Sequence, residues 1–207
     1  MNVLRCSSIG YKIGDRTIFD GINYEFEPYK VTAITGVSGS GKSSLLNILG
    51  LITDPTSGKL YWDQEVTNNW TENKRANFWK NQASFIFQDY GVIGEESVGY
   101  NVSLKSNVSK EEKNTIEKIL SHVGLANRFK DNAEVLSGGE KQRLGVARAI
   151  YKKSDIIYAD EPTASLDIEN RTIVVNLLKE RASKGVMVIV ATHDEELLKE
   201  CDDIFRL

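Results

Sequence analysis

Eight consecutive residues, Gly36-Val37-Ser38-Gly39-Ser40-Gly41-Lys42-Ser43, have the types and spacing to hold a chain of phosphates. They fit the pattern G-x-x-x-x-G-K-[ST] throughout. Glycines let successive backbone N–H groups turn inward around a phosphate and approach it closely. A helix opening at this point, through Ser44, aims its positive end at the same anion. Lys42 adds a point charge for β- and γ-phosphates, and the Ser43 hydroxyl can coordinate Mg²⁺. A glycine-rich turn before a helix is the bland alternative. The apolar strand Val31–Thr35 before the pattern and the helix after it supply the context that phosphate binding requires.

A second set lies far along the chain. Ile156-Ile157-Tyr158-Ala159 is an apolar run that ends in Asp160-Glu161-Pro162. Residues at the carboxyl ends of parallel strands project into a ligand crevice. There Asp160 can hold Mg²⁺ through water, and Glu161 can orient or deprotonate an attacking water. Two solvated acids before a proline turn would look the same, but the phosphate cradle upstream argues for chemistry.

Between these sets stands Leu136-Ser137-Gly138-Gly139-Glu140-Lys141-Gln142-Arg143. Ser137 and Glu140 have capping-box spacing, so a helix N-terminus opens at a glycine pair that permits close approach. That is a second phosphate site as well as a cap. The segment closely resembles the signature of ATP-binding cassettes, and the chain resembles an ABC-transporter nucleotide-binding subunit from end to end. The resemblance implies an α/β fold of the P-loop NTPase type, with a mostly parallel core sheet flanked by helices, an N-terminal antiparallel β lobe and a helical signature lobe. It implies ATP and Mg²⁺ as cofactors. Tyr11, 25 residues before Gly36, resembles the aromatic that stacks on adenine. Gln88 resembles the glutamine that contacts Mg²⁺ and the attacking water. Ala164-Ser165-Leu166-Asp167 resembles the loop that crosses the dimer interface. His193 resembles the switch histidine that hydrogen-bonds the γ-phosphate, whereas His122, inside an amphipathic helix, reads as structural.

The resemblance further implies a head-to-tail homodimer that sandwiches two ATP molecules. Each site pairs the cradle of one copy with Ser137–Glu140 of the other. A membrane permease would be contacted through residues 89–107, a segment resembling the group that serves lipoprotein release, macrolide efflux, antimicrobial-peptide resistance and bacteriocin export. An ABC ATPase that regulates a membrane partner without transport, or a soluble one, shares the same motifs. The turn Glu27-Pro28-Tyr29-Lys30 departs from the Gly-Glu pair common in the family.

These residues need elements to carry them. Turn signals at Gly10, Gly14-Asp15 and Asp20-Gly21 suggest short antiparallel strands, and Lys59–Trp62 suggests another. Strands are expected at Ser84–Phe87, Ile156–Ala159, Val186–Ala191 and Ile204–Leu207. Helices are expected at Ser44–Leu51, from a Ser109/Glu112 capping box to Val123, from Ser137 to Lys152, and over Glu169–Arg181 with Ile173, Val174, Leu177 and Leu178 inward. Asp89–Asn107 shows no strong period. Strands alternating with helices imply a parallel sheet. A single domain over 1–207 is expected, its antiparallel lobe at 1–30 and 59–66 and its helical lobe at 89–145.

Composition narrows the reading. With 26 Lys and Arg against 29 Asp and Glu, the net charge is −3. That argues against nucleic acid as a partner, which calls for a basic face. The two cysteines, Cys6 and Cys201, make neither a disulfide framework nor a zinc site, so a reducing compartment is expected. With no apolar run long enough for a signal or a membrane span, the sequence suggests a cytoplasmic protein, peripheral at the inner face of the membrane.

Overall fold

The computed structural model describes residues 2–164 and 166–207. Two sheets carry the candidate residues. The first is antiparallel and takes β1 (Leu4–Ile13), β2 (Arg16–Phe26), β4 (Ser57–Trp62) and β5 (Glu65–Val66) in the order β2-β1-β4-β5. Of the three turn signals here only Gly14-Asp15 turns the chain. Gly10 and Gly21 fall inside β1 and β2, where the pairing is irregular. A Cβ on Gly10 would lie 2.3 Å from the Ser57 hydroxyl, so this glycine allows close approach of its neighbours.

The second sheet is parallel throughout. It takes β3 (Val31–Thr35), β6 (Ala83–Ile86), β7 (Ile156–Asp160), β8 (Met187–Ala191) and β9 (Asp203–Arg206) in the order β6-β7-β8-β3-β9. β3 and β8 are buried at every position, as strands covered on both faces must be. Alternation sorts their side chains into two cores. Ile157, Ala159, Val188 and Val190 face one cluster, with Leu144, Val146 and Val174. Ile156, Tyr158, Ile189, Ala191 and Ile34 face the other, with Leu45, Ile48 and the aromatic group Trp62, Trp70 and Phe78. The second cluster also covers the antiparallel sheet through Leu4, Cys6 and Ile9, so the two sheets share one core.

The helices cover these faces. α1 (Lys42–Leu49) follows β3, α4 (Lys110–His122) and α5 (Gly138–Lys152) begin at complete capping boxes, and α6 (Ile168–Ser183) is capped by Asp167. On α6 the buried set is Val174, Val175, Leu177, Leu178 and Ala182, with Ile173 only half-buried. Three further helices fall where no period is evident. α2 (Glu72–Asn81) is capped by Thr71, α3 (Val98–Ser103) by Ser97, and α7 (Glu195–Lys199) by Asp194. α3 lies inside the stretch 89–107 that shows no strong period. It is six residues long, too short to hold itself together alone. Packing holds it: Val98 and Val102 join the first core, and the buried Asn101 side chain bonds the backbone N–H and carbonyl of Ile93, both at 2.9 Å.

Tyr158 ties the acidic strand to the helix behind the cradle. Its ring is fully buried, and its hydroxyl donates to the Leu49 carbonyl at 2.7 Å. Burial pushes the phenol well above its usual range, so it remains a donor. Tyr158→Phe leaves that carbonyl without its partner and is expected to cost about 1–3 kcal/mol of stability. Urea unfolding followed by circular dichroism measures it, and an unchanged midpoint would show that the bond contributes nothing.

Candidate active site

Four neighbouring strands of the parallel sheet deliver the candidate residues at their carboxyl ends. Gln88 follows β6, Asp160 ends β7 with Glu161 next after it, Thr192 and His193 follow β8, and Gly36 follows β3. Loops after strand ends leave backbone free to meet a ligand.

The cradle between β3 and α1 is shaped by two constraints. Gly41 has φ +101°, and a Cβ there would sit 2.5 Å from Ile18 Cγ2 and 3.0 Å from Phe19 Cδ1. Any side chain would be strained and would push β2 away. The turn closes with Ser40 N–H donating to the Val37 carbonyl at 3.1 Å. No side chain caps α1, and its first turn carries no acid. Its leading N–H groups therefore face the loop without a competing anion, which suits phosphate. The Lys42 ammonium lies over the loop, donating to the carbonyls of Gly36 (3.1 Å) and Val37 (3.2 Å).

A depression of about 660 Å³ opens over this loop. Gly36, Val37, Ser38, Gly39, Gly41, Lys42, Ser43 and Ser44 form its floor, Gln88, Glu161, Ala164 and His193 one side, and Ile13, Arg16 and Ile18 the other. Ser40 is not part of the lining; its hydroxyl is buried and unpartnered among the described residues.

Asp160 is bound to Ser43 of the floor, whose hydroxyl donates to Oδ1 at 3.0 Å. Burial pushes the Asp160 carboxyl up; the Ser43 bond opposes this, and the neighbouring Glu161 charge adds to it. A hydroxyl and a carboxylate are the hard oxygen donors that Mg²⁺ takes, so this pair fits that ion. Glu161 follows with φ +45°, a conformation that costs a side-chain-bearing residue energy. Its Oε2 accepts from the Thr192 hydroxyl at 2.9 Å, and its Oε1 lies 2.6 Å from His193 Nδ1. The Glu161 side chain is 12% exposed and that of His193 73% exposed, so the acid is set and the imidazole can turn.

Other expected residues lie elsewhere. Tyr11 does not line the depression. It packs on the shared core with its ring centroid 5.9 Å from that of Phe19. Two residues on, and on the same face of β1, Ile13 is 59% exposed and does line it. Ile13 thus borders the depression from the end of β1, while Tyr11 packs against Phe19, which itself reaches the cradle at Gly41. Ile13, Arg16 and Ile18 went unread in the sequence, although Gly14 marks where β1 must end.

Ser137, Gly138, Gly139 and Glu140 also stand apart from the depression. Their capping box is complete: Glu140 Oε2 accepts the Ser137 N–H at 2.8 Å, and Ser137 Oγ accepts the Glu140 N–H at 3.3 Å. Arg128 adds a bond to Glu140 Oε1 at 3.1 Å. Burial acts to raise the Glu140 carboxyl, but the Ser137 N–H and the Arg128 guanidinium outweigh it and hold the group below its usual range. The glycine pair meets packing demands within the chain. A Cβ on Gly138 would lie 2.7 Å from the Tyr90 hydroxyl, and one on Gly139 would lie 2.6 Å from the Asn170 side chain. Arg143 bonds the same Asn170, joining α5 to α6. Within 164–167, Ala164 borders the depression, Leu166 packs on the first core and Asp167 caps α6; Ser165 lies outside the described residues. His122 is structural, its Nε2 2.8 Å from Glu180 Oε2 across α4 and α6.

The model of the ABC transporter family matches residues 19–164, more than half of the chain. The chain belongs to the ABC transporter family. It is 38% identical over 190 residues to an uncharacterized ABC transporter ATP-binding protein of Methanocaldococcus jannaschii, covering 90% of this chain and 85% of that one. It is 33% identical to the ATP-binding protein LolD of the lipoprotein-releasing system of Buchnera aphidicola, covering 99% and 94%. The macrolide export ATP-binding/permease protein MacB of Psychrobacter cryohalolentis is 35% identical over 95% of this chain, which spans only 30% of MacB. The ATP-binding cassette MJ0796, solved as a dimer in a post-hydrolysis state with ADP and Pi, superposes with a TM-score of 0.85 at 30% identity, covering 99% of this chain and 94% of that one. This chain is accordingly an ABC ATPase, the ATP-binding subunit of an ABC transporter, and its adenine-nucleotide chemistry is that of the family. Among the described residues no helix is long and apolar enough to cross a membrane.

Lys42→Ala removes the one side-chain cation on the cradle floor. A hydrogen bond to a charged group is worth about 1.5–3 kcal/mol, so ATP affinity is expected to fall by about tenfold or more. Titration calorimetry with MgATP measures this; parent affinity in the variant would refute the role of Lys42.

Proposed function

We propose that this chain energises a separate membrane permease of the kind that serves lipoprotein release, macrolide efflux or peptide export. The observation that carries the site assignment is the convergence of Gly36–Ser44, Gln88, Asp160, Glu161 and His193 at the ends of four neighbouring strands. The likeness to LolD over nearly the whole chain supports the type of system.

In this reading the phosphates of ATP lie on the N–H groups of the cradle, with Lys42 between the β- and γ-phosphates. Ser43 and Gln88 would hold Mg²⁺, with Asp160 holding it through water, and the ion would neutralise charge developing on the phosphate oxygens. His193 turns from Glu161 to the γ-phosphate, and Oε1 of Glu161 is then free to orient and deprotonate the attacking water. Ile13, Arg16 and Ile18 form the wall for the nucleobase, an aliphatic and guanidinium surface in place of an aromatic one.

Ser137–Glu140 complete the site in a second copy. Their helix offers an N-terminus outside the depression of their own chain, and the cassette MJ0796 is dimeric in its post-hydrolysis state with ADP and Pi. Homodimer closure on ATP and release after hydrolysis give two states, and a permease that binds them unequally can draw work from the cycle. Residues 89–107, with Ile93 and Leu104 exposed, are the surface we assign to that permease at the inner face of the membrane.

Two variants test this in one assay. Glu161→Gln is expected to bind ATP, turn over at least about a hundredfold more slowly and elute as a dimer in saturating MgATP. Ser137→Arg should bind ATP as the parent does yet hydrolyse little. A Glu161→Gln protein that remains monomeric would remove the sandwich, and a hydrolysing Ser137→Arg protein would misplace the second site. The system type is read separately, by identifying the membrane protein that co-purifies with the tagged chain. A permease with a large extracytoplasmic domain is expected, and a chain without any membrane partner would overturn the transport reading.

The nucleobase wall has its own consequence. Stacking on an aromatic is worth about 0.5–1.5 kcal/mol, so Ile13→Tyr should tighten ATP binding by about two- to tenfold. Tyr11→Leu should leave it within about twofold. The reverse pattern would return the base to Tyr11.

A further inference from the structure

Thr192 is fully buried at the end of β8, and its backbone N–H donates to the Ile34 carbonyl at 3.0 Å. Its hydroxyl has two partners. One is Glu161 Oε2 at 2.9 Å; the other is the Asp194 N–H, at 3.1 Å. A hydroxyl carries a single hydrogen, and a backbone N–H can only donate. The Asp194 N–H therefore occupies an acceptor lone pair of the hydroxyl, and the Thr192 proton is left to point at the carboxylate.

That orientation is itself anchored. The Asp194 carboxylate accepts from the Thr163 hydroxyl at 2.9 Å and pairs with Arg171 at 3.3 Å. Thr163 is two residues beyond Glu161, so the acidic loop and the His193 loop brace each other. The Glu161 N–H donates to the Ala191 carbonyl at 2.8 Å, next to Thr192. Backbone and side chain of Glu161 are both held by the end of β8, which helps to maintain its positive φ.

The two oxygens of Glu161 thus differ. Oε2 is bound to a buried group that has nowhere to move. Oε1 is bound to an exposed imidazole that does. We propose that Thr192 is a positioning residue for hydrolysis: it fixes Glu161 so that Oε1 alone is presented to the attacking water. The proposal rests on Glu161 acting as the base. The step itself is ordinary: Oε1 takes a proton from water as the oxygen of that water attacks the γ-phosphorus, and ADP leaves with the bridging oxygen.

The test compares ATP hydrolysis by the full chain carrying Thr192→Val, Thr192→Ser and Glu161→Gln. Valine keeps the shape and removes the donor. Misorientation of a reacting group by about an ångström costs on the order of a hundredfold, so kcat of Thr192→Val is expected to fall by about ten- to a hundredfold. KM for ATP should stay within about twofold, because the cradle is untouched, and serine should restore most of the rate. Thr192→Cys, with a weak donor, should fall between them and carries the test if the valine protein does not fold. Adding Thr192→Val to Glu161→Gln should cost nothing more, as expected of a residue that acts only through another. Parent turnover by Thr192→Val beside an impaired Glu161→Gln overturns the proposal and leaves the base in place. An equal further loss in the Glu161→Gln background, or failure of serine to rescue, also overturns it. Parent turnover by Glu161→Gln removes the base and the proposal together.

Discussion

The row of backbone pairing Ile34–Ala191–Asp160 is the constraint on which the site depends. In this register β8 and β7 end level with one another and β3 ends one residue further on, at Thr35. One step beyond the row, Thr192 N–H bonds Ile34 and Glu161 N–H bonds Ala191, so the sheet pattern extends into the chemistry. Side chains on a strand change face at every residue. A slip of one residue in β7 would exchange Tyr158 with Ala159 between the two cores and turn Asp160 away from Ser43. Burial of Tyr158, Ile157 and Ile156 is therefore what places the carboxylates, although none of the three touches the depression.

The second constraint is close contact between the sheets. Gly41 lets Ile18 and Phe19 of β2 press on the start of α1. That contact brings the β1–β2 hairpin beside the cradle and makes Ile13, Arg16 and Ile18 a wall of the same depression. A residue that looks chosen for phosphate is thus also chosen for packing. The same holds in the signature segment, where Gly139 yields to Asn170 and Gly138 to Tyr90. Glycine at these positions answers demands within the chain before any ligand is considered.

Much of this was legible because it is local. Capping boxes at Ser109 and Ser137 need only four residues, and both are complete. The cradle, the acidic pair and the buried strands declare themselves by short runs of type. What escaped depends on distant partners. Tyr11 and Ile13 share a face of β1, and only the end of the strand decides which of them reaches the depression. α3 forms because Asn101, Val98 and Val102 have places to go in the first core, which no periodicity over six residues reveals. The positive φ of Glu161 and its bond to Thr192 join positions 31 residues apart and leave no mark in either segment.

The arrangement also explains why the acid can be held firmly while the imidazole remains free. The ties of Glu161 run to the end of β8, through its N–H to Ala191 and its carboxylate to Thr192. His193 stands one residue past Thr192 with most of its side chain exposed. Its Nδ1 makes the contact with Oε1, and in the reading proposed above the ring gives up that contact when it turns to a γ-phosphate. A triphosphate on the cradle would then do two things with one rotation: gain a partner for its terminal phosphate and uncover the oxygen that activates water. ADP, lacking the terminal phosphate, offers the ring no such partner, and the carboxylate stays covered. In the reading proposed above, the γ-phosphate is what tells the two nucleotides apart, with Thr192 keeping Oε2 out of the exchange.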